Sequence, residues 1–112
     1  VSWGNESAVL KMNITERLHN GSGFLQGGFY VILADEAIAL AVLSELSENE
    51  GTTTITETTE FIRGVKEGEI YASAKIIRKG RRVIFAEAEV REGSVEGKLL
   101  SKTTASYLIT AA

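Results

Sequence analysis

The chain has 112 residues, a formal net charge of −3, 44% hydrophobic and 24% charged residues. This balance fits one folded domain over residues 1–112, and the acidic charge argues against a general nucleic-acid binder. Cysteine is absent and His19 is the single histidine, which removes disulfides, thiol nucleophiles and multi-histidine metal clusters, so no metal site is expected.

Residues 8–14 read as a short first strand, and residues 15–26 as a loop. Residues 27–47 read as one long helix of about 30 Å, closed by the polar, glycine-ended run Ser47 to Gly51. From Phe29 to Leu43 only Asp35 and Glu36 are not hydrophobic. A helix apolar on nearly every face is predicted to be buried. The run is too short and too acidic to cross a membrane. No stretch reads as a signal peptide, so the expected location is cytoplasmic, with no membrane partner.

The remainder is strand-like. Thr52 to Arg63 is rich in threonine, a good strand former. Ile70, Ala72, Ala74 and Ile76 alternate with Tyr71, Ser73 and Lys75, and Ile84, Ala86, Ala88 and Val90 alternate with Phe85, Glu87, Glu89 and Arg91. Both are period-2 patterns of half-buried strands, and Lys79-Gly80 predicts a tight hairpin between them. A last strand runs from about Gly97 to Ile109. The predicted order is β-α-β-β-β-β, an α+β fold in which an antiparallel sheet of about five strands wraps one long central helix.

The loop Asn20-Gly21-Ser22-Gly23-Phe24-Leu25-Gln26-Gly27-Gly28 leads into that helix. Free N–H groups at a helix N-terminus favour negative charge. A buried carboxylate is costly, so Asp35, two turns further on, asks for a reason. An oxyanion-binding loop and a carboxylate are the parts of an acyl-transfer or hydrolysis site. The glycines do not make a dinucleotide fingerprint, because Gln26 takes the third glycine position and no parallel βαβ unit follows.

The order of elements and the loop together resemble the hotdog fold, specifically the PaaI-like acyl-CoA thioesterases of the 4-hydroxybenzoyl-CoA thioesterase superfamily. The family pattern N-x-x-G-x-x-H-G-G, four residues, then L-A-D is matched by Asn20, Gly23, Gln26, Gly27, Gly28, Leu33, Ala34 and Asp35. The resemblance continues through Thr54, Phe61, Val65 to Gly68 and Arg78 to Arg82, and covers almost the whole chain. Gln26 stands where the family commonly has histidine. It can donate and accept hydrogen bonds but carries no proton at neutral pH.

The resemblance implies an acyl-CoA thioesterase that needs no cofactor, coenzyme A being part of the substrate. It implies a homo-oligomer, a dimer or dimer of dimers, whose sites are shared: Asn20 and Gly27 from one chain, Asp35 from the other. Asp35 would be general base or nucleophile, Asn20 would orient the water or the carbonyl, the Gly27 N–H would hold the oxyanion, and Thr54 would hydrogen-bond the water. Gln26 and Gly28 would contact substrate. Each also has a plain structural reading: Asn20 as a turn residue, Thr54 as one β former among several. Glu36, about 100° from Asp35 around the helix, reads as a rim or interface acid. Glu57 and Thr59 stand where relatives often have apolar residues, either lining a polar pocket or, more simply, facing solvent. Arg78, Lys79, Arg81 and Arg82 suit the phosphates of coenzyme A, or else a solvated hairpin tip. A non-catalytic acyl-CoA-binding protein and a hotdog dehydratase or hydratase are the alternatives. The first has no need of Asp35, and the second needs a histidine that the helix lacks.

Overall fold

A computed structural model of the chain describes residues 2–111. The elements are β1 (Ser2–Gly4), β2 (Ser7–Asn13), a 3₁₀ turn (Glu16–Leu18), α1 (Gly27–Leu43), β3 (Glu50–Phe61), β4 (Glu69–Lys79), β5 (Val83–Glu92) and β6 (Leu99–Ala111). The six strands form one antiparallel sheet in the order β1-β2-β4-β5-β6-β3. The helix lies over β2, β4 and β5 and barely touches β6.

Small side chains on both partners let helix and sheet approach closely. Ala34, Ala37 and Ala41 of α1 meet a sheet face carrying Ala72, Ala74, Ala86 and Ala88, all buried. Ile38, Ile70, Ile84 and Val90 fill the space between them and are fully buried. Burying one such branched side chain is worth about 1.5–3 kcal/mol, so this layer carries much of the stability.

The observed elements depart from the sequence reading in three places. The first is a sixth strand, β1. It folds back on β2 through Asn5 and Glu6, whose φ angles are 52° and 67°, and the Trp3 indole donates to the Leu40 carbonyl. No periodic pattern marks three residues. The second is the helix end, which falls at Leu43 rather than residue 47. Ser44 Oγ donates to the Ala41 carbonyl at 2.7 Å, and Glu45 N–H bonds Val42 O at 3.0 Å, so the chain tightens into a turn as its last carbonyls are satisfied. The third is burial. Ile32 and Leu43 are each 55% exposed, and with exposed Glu36 and Ala39 they make an uncovered stripe along α1.

The β4–β5 connection is the hairpin expected at Lys79-Gly80, with Gly80 N–H donating to Val83 O at 2.8 Å. A Cβ on Gly80 would meet that oxygen at 3.0 Å, so glycine keeps the turn tight. A register shift between Thr54 and Thr56 breaks the alternation of β3. Before it, Thr54 lies opposite Tyr107; after it, Glu57 lies opposite Ala105. Tyr107 and Ala105 share one sheet face, so this β-bulge at Ile55 turns both Thr54 and Glu57 toward the helix side.

Candidate active site

The loop before α1 is tied down by backbone bonds. Leu25 N–H donates to Val65 O at 2.8 Å and Gln26 N–H to Leu18 O at 2.9 Å. His19 bridges to Leu25, and its Nε2 lies 2.7 Å from Lys66 O. His19 thus serves to hold the loop in place. Asn20 Oδ1 accepts from Ser22 N–H at 2.9 Å and Phe24 N–H at 3.2 Å. The loop therefore uses the acceptor end of Asn20 and leaves its amide NH₂ as the donor end.

Gln26 is the N-cap of α1 in an extended conformation, and its side chain makes no capping bond. The first helical N–H groups, those of Gly27 and Gly28, thus begin a helix with no side-chain acceptor over them, at its positive end. A Cβ on Gly28 would meet nothing within 4 Å, while one on Gly27 would lie 3.2 Å from the Phe61 ring. A ligand can approach the backbone over Gly28. Beside this end lies a cavity of about 500 Å³, lined by Asn20, Phe24, Leu25, Tyr30, Phe61 and Arg63 among others. Tyr30, pushed above the ordinary phenol range by burial, donates to Arg63 O at 3.0 Å and packs on Phe61 with ring centres 6.0 Å apart.

Asp35 is half-buried on α1 and acts on Glu57 of β3 and Tyr107 of β6. Burial, then hydrogen bonding with Asp35 and its charge, push the Glu57 carboxyl up to about 7. Burial first, then the charges of Asp35 and Glu57, push the Tyr107 hydroxyl up as well. Glu57 Oε1 and the Tyr107 hydroxyl are both buried without a hydrogen-bond partner. The simpler expectation for Glu57, a solvent-facing acid, is thereby corrected, and the cause is the bulge. Thr54 shares this face and is exposed. Glu36 is exposed, off the Asp35 side.

Not all of the sequence-predicted residues meet within one chain. Asn20, Gln26, Gly27 and Gly28 gather at the helix N-terminus. Asp35 and Thr54 lie with Glu57 and Tyr107 further along, Asp35 being about 12 Å up the helix axis from Gly27. The basic hairpin is at the other end of α1, about 25 Å from Gly27 for a helix of 17 residues. There Lys79 Nζ donates to Glu45 O at 2.6 Å and lies 4.0 Å from Glu50, while Arg78, Arg81 and Arg82 rim a shallow cavity of about 410 Å³. Tyr107 is the site residue that sequence reasoning did not single out, and Glu57 reads there first as a solvent-facing acid, with a polar pocket as the alternative. The one signal was an acid inside a threonine strand, without the face it would take.

A sheet curled around one long helix, with an open helix N-terminus and an acid on the inner side, defines a hotdog-fold hydrolase of activated acyl groups. The chain matches the thioesterase superfamily over residues 22–97. It is 23% identical to the 1,4-dihydroxy-2-naphthoyl-CoA hydrolase of Listeria monocytogenes serotype 1/2a (strain 10403S), across 93% of this chain and 85% of that protein. It superposes on a conserved protein of Pseudomonas aeruginosa, PA5202, with a TM-score of 0.90 and 30% identity, covering 98% of this chain and 86% of that one. In fold it also matches the thioesterase HI1161 of Haemophilus influenzae, with a TM-score of 0.90 at 23% identity, over 99% and 76% of the two chains. The chain belongs to the thioesterase superfamily and is a thioester hydrolase. No helix among the described residues is long and apolar enough to cross a membrane.

Proposed function

We propose that the protein hydrolyses acyl-CoA thioesters at sites shared between two copies of the chain. The observation that carries this reading is a separation. The open helix N-terminus at Gly27 and Gly28 and the carboxylate of Asp35 are about 12 Å apart along one helix, too far to act on one carbonyl carbon. A second copy brings the missing half. Strand β3 is a sheet edge twelve residues long, and antiparallel pairing of two such edges sets the Glu50 end of one beside the Phe61 end of the other. That pairing carries Asp35 of each copy toward the other's helix N-terminus, and the basic hairpin with it.

In this reading the thioester oxygen sits at the Gly27 N–H, close over Gly28, with Gln26 at the rim. The Asn20 NH₂ group orients the carbonyl or the water. Asp35 of the other copy takes a proton from water as it attacks, or attacks directly to form an anhydride that water then opens. Thr54 hydrogen-bonds the water. The C–S bond breaks and the thiolate leaves as coenzyme A, its phosphates held by Arg78, Arg81 and Arg82. Phe24, Tyr30 and Phe61 suit an aromatic acyl group, the kind named for the Listeria relative.

Release of free thiol from a panel of short, long and aromatic acyl-CoAs tests the reaction. Asp35→Ala should cut turnover at least about 10²-fold, as expected for a lost base. Mixing Asn20→Ala with Asp35→Ala subunits should restore part of it. A fully active monomer by light scattering would refute the shared site.

A further inference from the structure

Two buried polar atoms on one face of the sheet lack hydrogen-bond partners, and neither bonds the other. The Tyr107 hydroxyl is a donor without an acceptor, on a side chain 5% exposed. Glu57 Oε1 is an acceptor without a donor. Tyr107 lies opposite Thr54 and Glu57 opposite Ala105, so the two are diagonal neighbours, within reach for long side chains. Both face Asp35. From β5 the same face presents Ala86 and Ala88, and from β3 Thr54 and Thr59. Asp35 from α1 and Tyr107 from β6 are thus the titratable groups facing Glu57 among the described residues. Two carboxyls placed together do not both ionise readily, and one keeps a proton.

We propose that Glu57 is a positioning residue for Asp35: its neutral carboxyl donates to one Asp35 oxygen, and the other Asp35 oxygen is left aimed at the water. This rests on the thioesterase reading for its role in catalysis, though not for the pair itself. No proton leaves Glu57 in the reaction. The water proton goes to Asp35, and the departing thiolate is reprotonated afterwards. Glu57 acts by being neutral, and its pKa near 7 puts the loss of that state inside the working range. Above it the hydrogen bond is replaced by repulsion between two anions.

The test has an activity arm and a titration arm. In the first, kcat of the wild type falls as pH rises through about 7. Glu57→Ala lowers kcat about tenfold with KM unchanged, the loss of one hydrogen bond to a charged group. Glu57→Gln, which still donates, restores most of that turnover and lacks the alkaline fall. An alkaline fall retained in Glu57→Gln, or wild-type kcat in Glu57→Ala, overturns the proposal. In the second arm, carbon NMR follows the Glu57 carboxyl in the folded protein without substrate. Its midpoint lies well above that of an ordinary glutamate, and Asp35→Asn lowers it. An ordinary midpoint in the wild type overturns the pair whatever the activity. A raised midpoint in a protein that hydrolyses no acyl-CoA would sink the thioesterase reading and leave the pair standing.

Discussion

Tyr30 donates its hydroxyl to the Arg63 carbonyl at 3.0 Å, and this single bond joins the first turn of α1 to the chain leaving β3. It closes one wall of the cavity beside the Asn20 to Gly28 loop. Tyr30→Phe keeps the ring against Phe61 and loses only the bond. A stability loss of about 1 kcal/mol is expected, read from the denaturant midpoint at an unchanged slope. A rise in KM for acyl-CoA should accompany it, because the wall is looser. An unchanged KM would show that this wall does not meet substrate.

Gly28 separates helix stability from function. Nothing lies within 4 Å of the position a Cβ would take there, so Gly28→Ala fits. Alanine should raise stability by about 0.5–1 kcal/mol, since glycine is the poorer helix former. The same methyl stands where the proposed function has the substrate approach the backbone, so turnover should fall. A variant both more stable and fully active would remove Gly28 from the substrate path.

Arg81 and Arg82 lie at the far end of α1 from the Asn20 to Gly28 loop, and the proposed function gives them a binding role only. Changing both to serine should raise KM for acyl-CoA and leave kcat nearly unchanged, the mark of lost uniform binding. A short acyl thioester without the nucleotide should be hydrolysed as before. The KM difference should shrink with salt as screening shortens the reach of exposed charge to about 10 Å near 0.1 M. Lys79 is the wrong residue for this test, because it is engaged by Glu45 and Glu50.

Glu57 makes stability depend on pH with a definite sign. The folded state holds its proton more tightly than the unfolded chain, with a pKa raised from 4.5 to about 7. Ionising it therefore costs folding free energy. The cost is absent below about pH 4.5, grows as pH rises, and is complete above about pH 7. Full burial would make it about 3 kcal/mol; Glu57 is only partly buried, so about half that is expected after solvent screening. Glu57→Gln should be the more stable protein at pH 8, and the gap should close on going to pH 4. Parallel stability curves across that range would contradict the shift.

The long elements were legible because their patterns are local. The alternations at Ile70 to Ile76 and Ile84 to Val90 needed only a period of two, and their inward residues are the buried ones. The loop from Asn20 to Gly28 was legible because its glycines and its spacing to Asp35 are marks that need no tertiary context. The face of Glu57 was not. Strict alternation sets Thr54 and Glu57, three residues apart, on opposite faces, and the bulge that unites them leaves no mark beyond an isoleucine among threonines. Nor was the end of α1, since Ser44, Glu45 and Leu46 continue an acceptable helical pattern. The turn there is decided by the bonds of Ser44 and Glu45 to the preceding carbonyls.

A strand behaves like a text read two letters at a time, and Ile55 is the extra letter that resets the frame. Every inward residue beyond it, Glu57, Thr59 and Phe61, owes its side of the sheet to that one insertion. Substitution at Ile55 keeps the count and so keeps the frame. Deleting it would only remove the bulge, with Thr56 following Thr54 in strict alternation and Glu57 still opposite Ala105; drawing Ile55 into the ladder instead would export the acid and the aromatic together and bring Thr58 and Glu60 inward. Accepted point changes can thus tune this wall residue by residue, whereas a slip that paired Ile55 in the ladder would exchange the whole wall at once.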